Sequence, residues 1–213
     1  MKKLKLILFA SIGIVALTAS CSDEFLDKQP LGQISGSTIN DAAGVEGKLI
    51  AAYRTLSGQG MNGGGTWYYD IHGWIFGSIA SDNAVKGTDA GDQPEHSFIE
   101  AYDFTTFNDH IKDKWRSVYW GMARANEVID AVAEAAEGDD PVDSARAAVI
   151  IAEARFLRGF HALQAQLHFR SPAYVDEAAY DVNDVESSKV ANSGPIWDQI
   201  IADFTAAAGA LPA

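Results

Sequence analysis

The densest concentration of side chains able to do binding chemistry lies between residues 67 and 83, where Trp67, Tyr68, Tyr69 and Trp74 are followed by Asp82 and Asn83. Flat aromatic faces suit the C–H side of a pyranose, and carboxylate or amide groups suit its hydroxyls, each contact being worth about 1 kcal/mol. Residues 58–65, GQGMNGGG, carry five glycines in eight, so the backbone ahead of the aromatics can bend around a ligand. That loop has no Gly-Lys-Ser/Thr and therefore no phosphate grip. Its position favours Trp67 and Tyr68 as the platform. The plainer reading is that Trp74, Ile75 and Phe76 are core and Asp82-Asn83 is a turn.

Reaction chemistry is less well supplied. Asp70, Asp82, Glu100, Asp103, Asp109 and Asp113 are carboxylates, and glycoside hydrolysis needs two of them about 5–10 Å apart. With 29 acidic residues such pairs arise by chance. His161 and His168 share a helix face two turns apart without an H-E-x-x-H pattern, and there is no G-x-S-x-G elbow. Asp82, Asp89 and Asp92 do not follow the spacing of an EF-hand loop. The reading is of a protein that binds rather than reacts, with no catalytic residue, metal ligand or cofactor assigned. Asn126, inside an apolar stripe, reads as a hydrogen-bonded core group. Glu153, Arg155 and Arg158 read as ion pairs between adjacent helices.

Net charge narrows the partners. Sixteen basic against 29 acidic residues give −13, and no basic stripe offsets it, which excludes nucleic acid. Lys2, Lys3 and Lys5 precede an apolar stretch at 6–17, the length of a signal peptide rather than of a membrane span. It ends in Leu17-Thr18-Ala19-Ser20-Cys21, which resembles the lipobox of bacterial lipoproteins, with Thr18 where Leu is more usual. Cys21, the single cysteine, then carries a diacylglyceryl group; each buried CH₂ contributes about 0.8 kcal/mol, and two or three chains anchor persistently. Removing residues 1–20, with three lysines and no acid, takes the charge from −13 to −16. Ser22-Asp23-Glu24 puts negative charge at the membrane face, as in surface-exported Bacteroidetes lipoproteins.

The elements that must position these groups are helices. Residues 21–39 read as a lipidated N-terminus and tether, broken by Pro30, Gly32 and Gly36. Val45, Leu49, Ala52, Tyr53 and Leu56 predict a helix over 40–57, capped by Asn40 or Thr38 and stopped at Gly58. Residues 84–113 are polar and aromatic with weak periodicity. Val118, Tyr119, Met122, Ala125, Asn126 and Ile129 predict a helix over 115–136, ended by Glu137-Gly138-Asp139-Asp140-Pro141. Asp143 or Ser144 caps the next, whose positions Ala147, Ile150, Ile151, Ala154, Leu157, Phe160 and Leu167 run to His168. A last helix spans 196–208, through Trp197, Ile200, Ile201 and Phe204. Trp115 and Val149 are thirty-four residues apart, the tetratricopeptide period, without the full repeat signature. A helix left without its partner implies exposed apolar surface and a truncated chain.

Several segments resemble the SusD/RagB family of surface glycan-binding lipoproteins. These are Cys21-Ser22-Asp23-Glu24-Phe25-Leu26-Asp27; Ala51-Ala52-Tyr53-Arg54-Thr55-Leu56; Ser81-Asp82-Asn83-Ala84-Val85-Lys86-Gly87; Trp115-Arg116-Ser117-Val118-Tyr119-Trp120-Gly121-Met122-Ala123-Arg124-Ala125-Asn126; and, most specifically, Glu153-Ala154-Arg155-Phe156-Leu157-Arg158-Gly159-Phe160. Ile200-Ile201-Ala202-Asp203-Phe204 with Leu211-Pro212 adds a helix ending in a Leu-Pro turn. The resemblance implies an all-α scaffold of tetratricopeptide-like helix pairs, 40–213 being the N-terminal part of a chain more than twice as long. It also implies a lipid-anchored outer-membrane protein that delivers oligosaccharide to a SusC-like TonB-dependent transporter in polysaccharide utilisation. The alternatives are a lipid-anchored glycan-degrading enzyme and a tetratricopeptide scaffold lipoprotein of the envelope. Gly159, His161 and Phe169-Arg170-Ser171-Pro172 depart from the family pattern, the last replacing an aromatic-Gly-x-x-Pro turn.

Overall fold

A computed structural model describes residues 41–57, 73–181, 184, 186 and 189–212, all within the unit Ser37–Ala213. Among the described residues the regular structure is mainly α-helix, with no strand. Cys21, Trp67, Tyr68, Tyr69 and Asp70 lie outside the described residues, as do the signal peptide and tether.

Helix α1, Ala42–Arg54, continues as a tighter turn Thr55–Ser57. Asp41, not Asn40 or Thr38, is its cap: the Asp41 carboxylate accepts from the Gly44 amide at 2.7 Å. A wide helical turn, Ile75–Ile79, follows. Helix α2 is Pro94–Glu100, with proline in its first turn. Helix α3, Asp109–Ala135, starts six residues before the helix predicted at 115, capped by Asn108, whose side chain accepts from the amides of His110 and Ile111. Helix α4, Ser144–Phe169, is capped by Asp143, and helix α5 is Trp197–Ala210. No described helix is long and apolar enough to cross a membrane.

The missed helix α2 and first turns of α3 have one physical cause. Their inward positions are polar: His96, His110, Lys114 and Ser117 are all buried. An apolar stripe cannot be read where the buried residues are not apolar.

Helices α3 and α4 form an antiparallel hairpin. Lys114 meets Gln164, Gly121 meets His161 and Asn126 meets Arg158, so residue numbers run in opposite directions across the seam. Helix α1 lies on this hairpin through Val45, Leu49 and Ala52, against Ala125, Val128, Val132, Ile150 and Leu157. Small residues let backbones approach closely. A Cβ at Gly121 would fall 2.3 Å from the His161 ring, and one at Gly159 would fall 3.1 Å from Asp203 and 3.2 Å from Phe204. The departures Gly159 and His161 are thus parts of the packing. Four stripe residues turn outward instead: Tyr53, Leu167, Trp197 and Ile201 are exposed.

The core polar group Asn126 belongs to a buried network. Arg158 binds Asp203 through two bonds, Nε–Oδ2 at 2.9 Å and Nη2–Oδ1 at 2.7 Å, donates to Asn126 Oδ1 at 2.9 Å, and pairs with Glu177. Asn126 in turn donates to the Val175 carbonyl at 2.9 Å, and Tyr174 donates to Asp203 at 2.5 Å. Burial works against the Arg158 charge, but the Asp203 contacts overcome it and hold its pKa above the ordinary value. Arg155 pairs with Glu177, on the segment after α4 rather than on a helix. Glu153 is shared by Arg146 at 2.8 Å on its own helix and the Tyr53 hydroxyl at 2.8 Å on α1, while Arg146 grips Glu46.

Candidate functional site

Trp74, Asp82 and Asn83 sit at opposite ends of the Ile75–Ile79 turn. Ile75 and Ile79 are fully buried against Ile99 of α2, which fixes the turn, and Trp74 stands at its start, 38% exposed. The Trp74 ring meets His96 edge-on at 6.0 Å. Asp82 and Asn83 are exposed. Asp82 adopts φ +61°, and Asn83 spends its side-chain amide on Ser81 Oγ at 2.7 Å. The plain reading of Asp82-Asn83 as a turn therefore describes the geometry, with the Asp82 carboxylate left at the surface.

The carboxylates suggested for hydrolysis are dispersed or engaged. Asp109 pairs with Lys112, and Asp113 lies 3.6 Å from Arg116. Among the described residues no group of three or more His, Cys, Asp or Glu side chains is placed to hold a metal ion. Asp82, Asp89 and Asp92 do not converge on a cation: Asp89 Oδ1 accepts from the Gly91 and Asp92 amides, and the Lys86 ammonium donates to the carbonyls of Asp89 and Asp92. A lysine thus supplies the positive charge in that loop.

Aromatic surface unforeseen from the sequence lies between α2 and α3. Phe98, Tyr102, Phe104 and Phe107 are all exposed, Tyr102 at 72% and Phe107 at 88%. Aromatics are normally the buried members of a segment, so this run is exceptional. Type alone could not separate them from core residues. Two of them, Tyr102 and Phe104, also line a pocket of about 310 Å³ with Phe76, Ala80, Ile99, Ile111, His168 and Phe169. Tyr102 is pinned there by its hydroxyl, which donates to the Ala80 carbonyl. None of Trp74, Asp82 and Asn83 lines this pocket. Its walls come from residues up to ninety-three positions apart, a juxtaposition that spacing does not disclose.

Burial disfavours the charged form of the histidines around this region. Burial, then the neighbouring His110 and Lys86, pulls His96 down to about 4, and its ring lies 4.1 Å from that of His110. Burial lowers His110 and His168 as well. Deeper in the hairpin burial takes His161 to about 3 and the Lys114 ammonium to about 8. Thr55 donates its hydroxyl proton to the Ala52 carbonyl at 2.6 Å, so the His161 Nε2–H donates to Thr55 at 2.8 Å.

No protein-family model matches the chain, and no curated protein matches it significantly.

Proposed function

We propose that the chain is a lipid-anchored, surface-exposed binding protein of the SusD/RagB kind. It captures an oligosaccharide or similar nutrient and passes it to a SusC-like TonB-dependent transporter without itself performing a reaction. The observation that carries this reading is the solvent-facing aromatic set, Trp74 with Phe98, Tyr102, Phe104 and Phe107, beside a rigid helical scaffold. Open aromatic faces fixed on a packed framework suit the C–H faces of sugars and lose little freedom on binding. The lipobox-like run ending at Cys21 supports the anchor, and the acidic residues after it support export to the outer face. Trp67, Tyr68 and Tyr69 would complete the platform, with Asp82 and Asn83 meeting hydroxyls.

The scaffold would be tetratricopeptide-like. In favour stand the antiparallel α3–α4 hairpin and α5 stacked on α4, successive helices packing on their neighbours. Trp115 and Val149 fall on the two antiparallel helices of one hairpin, so their thirty-four-residue spacing is no part of that support. A second reading, an envelope scaffold, draws on Trp197 and Ile201, one turn apart on α5 and exposed at 44% and 60%, as a face for further helices.

Titration of the full chain against a polysaccharide panel, with product analysis, tests the proposal. Binding without cleavage, weakened by Trp67→Ala and Tyr68→Ala, is the expected result, together with loss of membrane retention in Cys21→Ser. Turnover abolished by one carboxylate substitution would favour the enzyme. No glycan binding, with the anchor intact, would favour the scaffold.

A further inference from the structure

The pocket beside α2 has a composition that suits a different ligand from a bare sugar. Its walls are Phe76, Ile99, Tyr102, Phe104 and Phe169, with His168 as the polar member. Tyr102 spends its hydroxyl on the Ala80 carbonyl and so offers the pocket its ring alone. A sugar seated here would leave most of its hydroxyls facing hydrocarbon without partners, which costs more than ring stacking returns.

His168 fixes what polar group such a ligand should carry. Its Nδ1 lies 2.7 Å from the Gln164 carbonyl, one turn back on α4. A carbonyl can only accept, so the proton is on Nδ1, and in the neutral ring Nε2 is a bare acceptor. Phe76 meets the ring edge-on at 5.2 Å and holds its plane. Size sets the rest. An apolar cavity of about 150 Å³ takes one benzene ring, so about 310 Å³ matches two fused rings.

We propose that this pocket binds a small two-ring aromatic compound bearing one hydrogen-bond donor, the rings between Phe76, Tyr102, Phe104 and Phe169 and the donor on His168 Nε2. The exposed Tyr102 and Phe104 mark its mouth, so the ligand enters from solvent. The site excludes Trp74, Asp82 and Asn83 but shares Tyr102 and Phe104 with the aromatic face proposed for glycans, and it holds whether or not the chain captures them.

The test is titration of the full chain with 2-naphthol and with 2-methylnaphthalene, which has a methyl group in place of the hydroxyl. The expected result is saturable binding of both, 2-naphthol about five- to tenfold tighter, as one hydrogen bond to an imidazole implies. His168→Phe should abolish that preference while both still bind. Ala80→Phe, which fills the pocket, should abolish binding of both. Phe104→Ala, on an exposed loop where folding is not at stake, should weaken both. Circular dichroism of each variant separates lost binding from lost structure. Equal affinities in the wild-type chain, no saturable binding, or binding indifferent to both Ala80→Phe and Phe104→Ala would overturn the proposal.

Discussion

The α3–α4–α5 scaffold and the region from Trp74 to Ile111 solve opposite problems with the same residue types. In the scaffold, charges are drawn inside, Arg158 and Asp203 being buried together with Tyr174 closing over them, and its exposed aromatics Trp115, Phe156 and Trp197 are spread over three helices. Between Trp74 and Ile111 the inward groups are isoleucines and neutral histidines, while Phe98, Tyr102, Phe104 and Phe107 face water. Exposed aromatic surface does not stabilise a monomer, and its concentration in one region is what the binding proposal rests on. Buried paired charge adds little net stability, but removing one partner leaves the other stranded in the interior.

Breaking the scaffold side of that contrast should have the largest effect. Arg158→Met leaves the Asp203 carboxylate buried without its partner and should cost about 3–5 kcal/mol in urea unfolding. Adding Asp203→Leu should recover much of it, because the stranded charge is gone. Gly121→Ala drives a methyl group into the His161 ring and should cost about 1–3 kcal/mol. His161→Ala in the same chain should return part of that loss, and no recovery would mean that the backbone contact, not the ring, sets the spacing.

Buried histidines on both sides, His96 of α2 and His161 of the hairpin, should announce themselves in acid. His96 and His161 are held at about 4 and about 3, against an ordinary 6.5, because burial disfavours their charged forms. The unfolded chain therefore takes up their protons first. The stability these two histidines contribute is complete above pH 6.5 and is lost as pH drops from there through 4 towards 3. His96→Phe should flatten the upper part of that fall in Tm against pH, and an unchanged slope would count against a neutral buried His96.

The smallest effects concern turns and surface. Arg170 ends α4 at φ +62° and ψ −47°, and the Ser171 amide bonds back to the Phe169 carbonyl at 2.7 Å, the strained three-residue turn of positive φ. Arg170→Gly should raise stability by about 1 kcal/mol, read from the urea midpoint. Phe107→Ala, at 88% exposure, should change it by less than about 0.5 kcal/mol.

Legibility in the sequence followed the same division. Val118, Met122 and Ala125, and Ile150, Ala154 and Leu157, are apolar at helical spacing and buried as that spacing requires, so the long hairpin was plain. The Asp143 cap was legible because a carboxylate can satisfy amides in the first turn. Helix α2 and the start of α3 were hidden by buried His96, His110 and Lys114, whose polarity erases the period. Of the candidate site, Trp74, Asp82 and Asn83 were proposed on local grounds, and the structure places them at the two ends of the Ile75–Ile79 turn. The aromatics at 98–107 were not, because periodicity reports faces of helices and these residues lie largely in the loop between two. The unusual residue at Arg170 was visible as a missing glycine, but only the backbone shows what it costs.

The most direct test of the division between holding and binding is glycan affinity measured beside unfolding on one variant, Phe98→Ala with Phe107→Ala. The expected result is affinity reduced by tenfold or more, as loss of about 1.4 kcal/mol of aromatic contact implies, with the urea midpoint nearly unmoved. Affinity unchanged while the midpoint falls would contradict it, since these aromatics would then belong to the fold and not to a ligand.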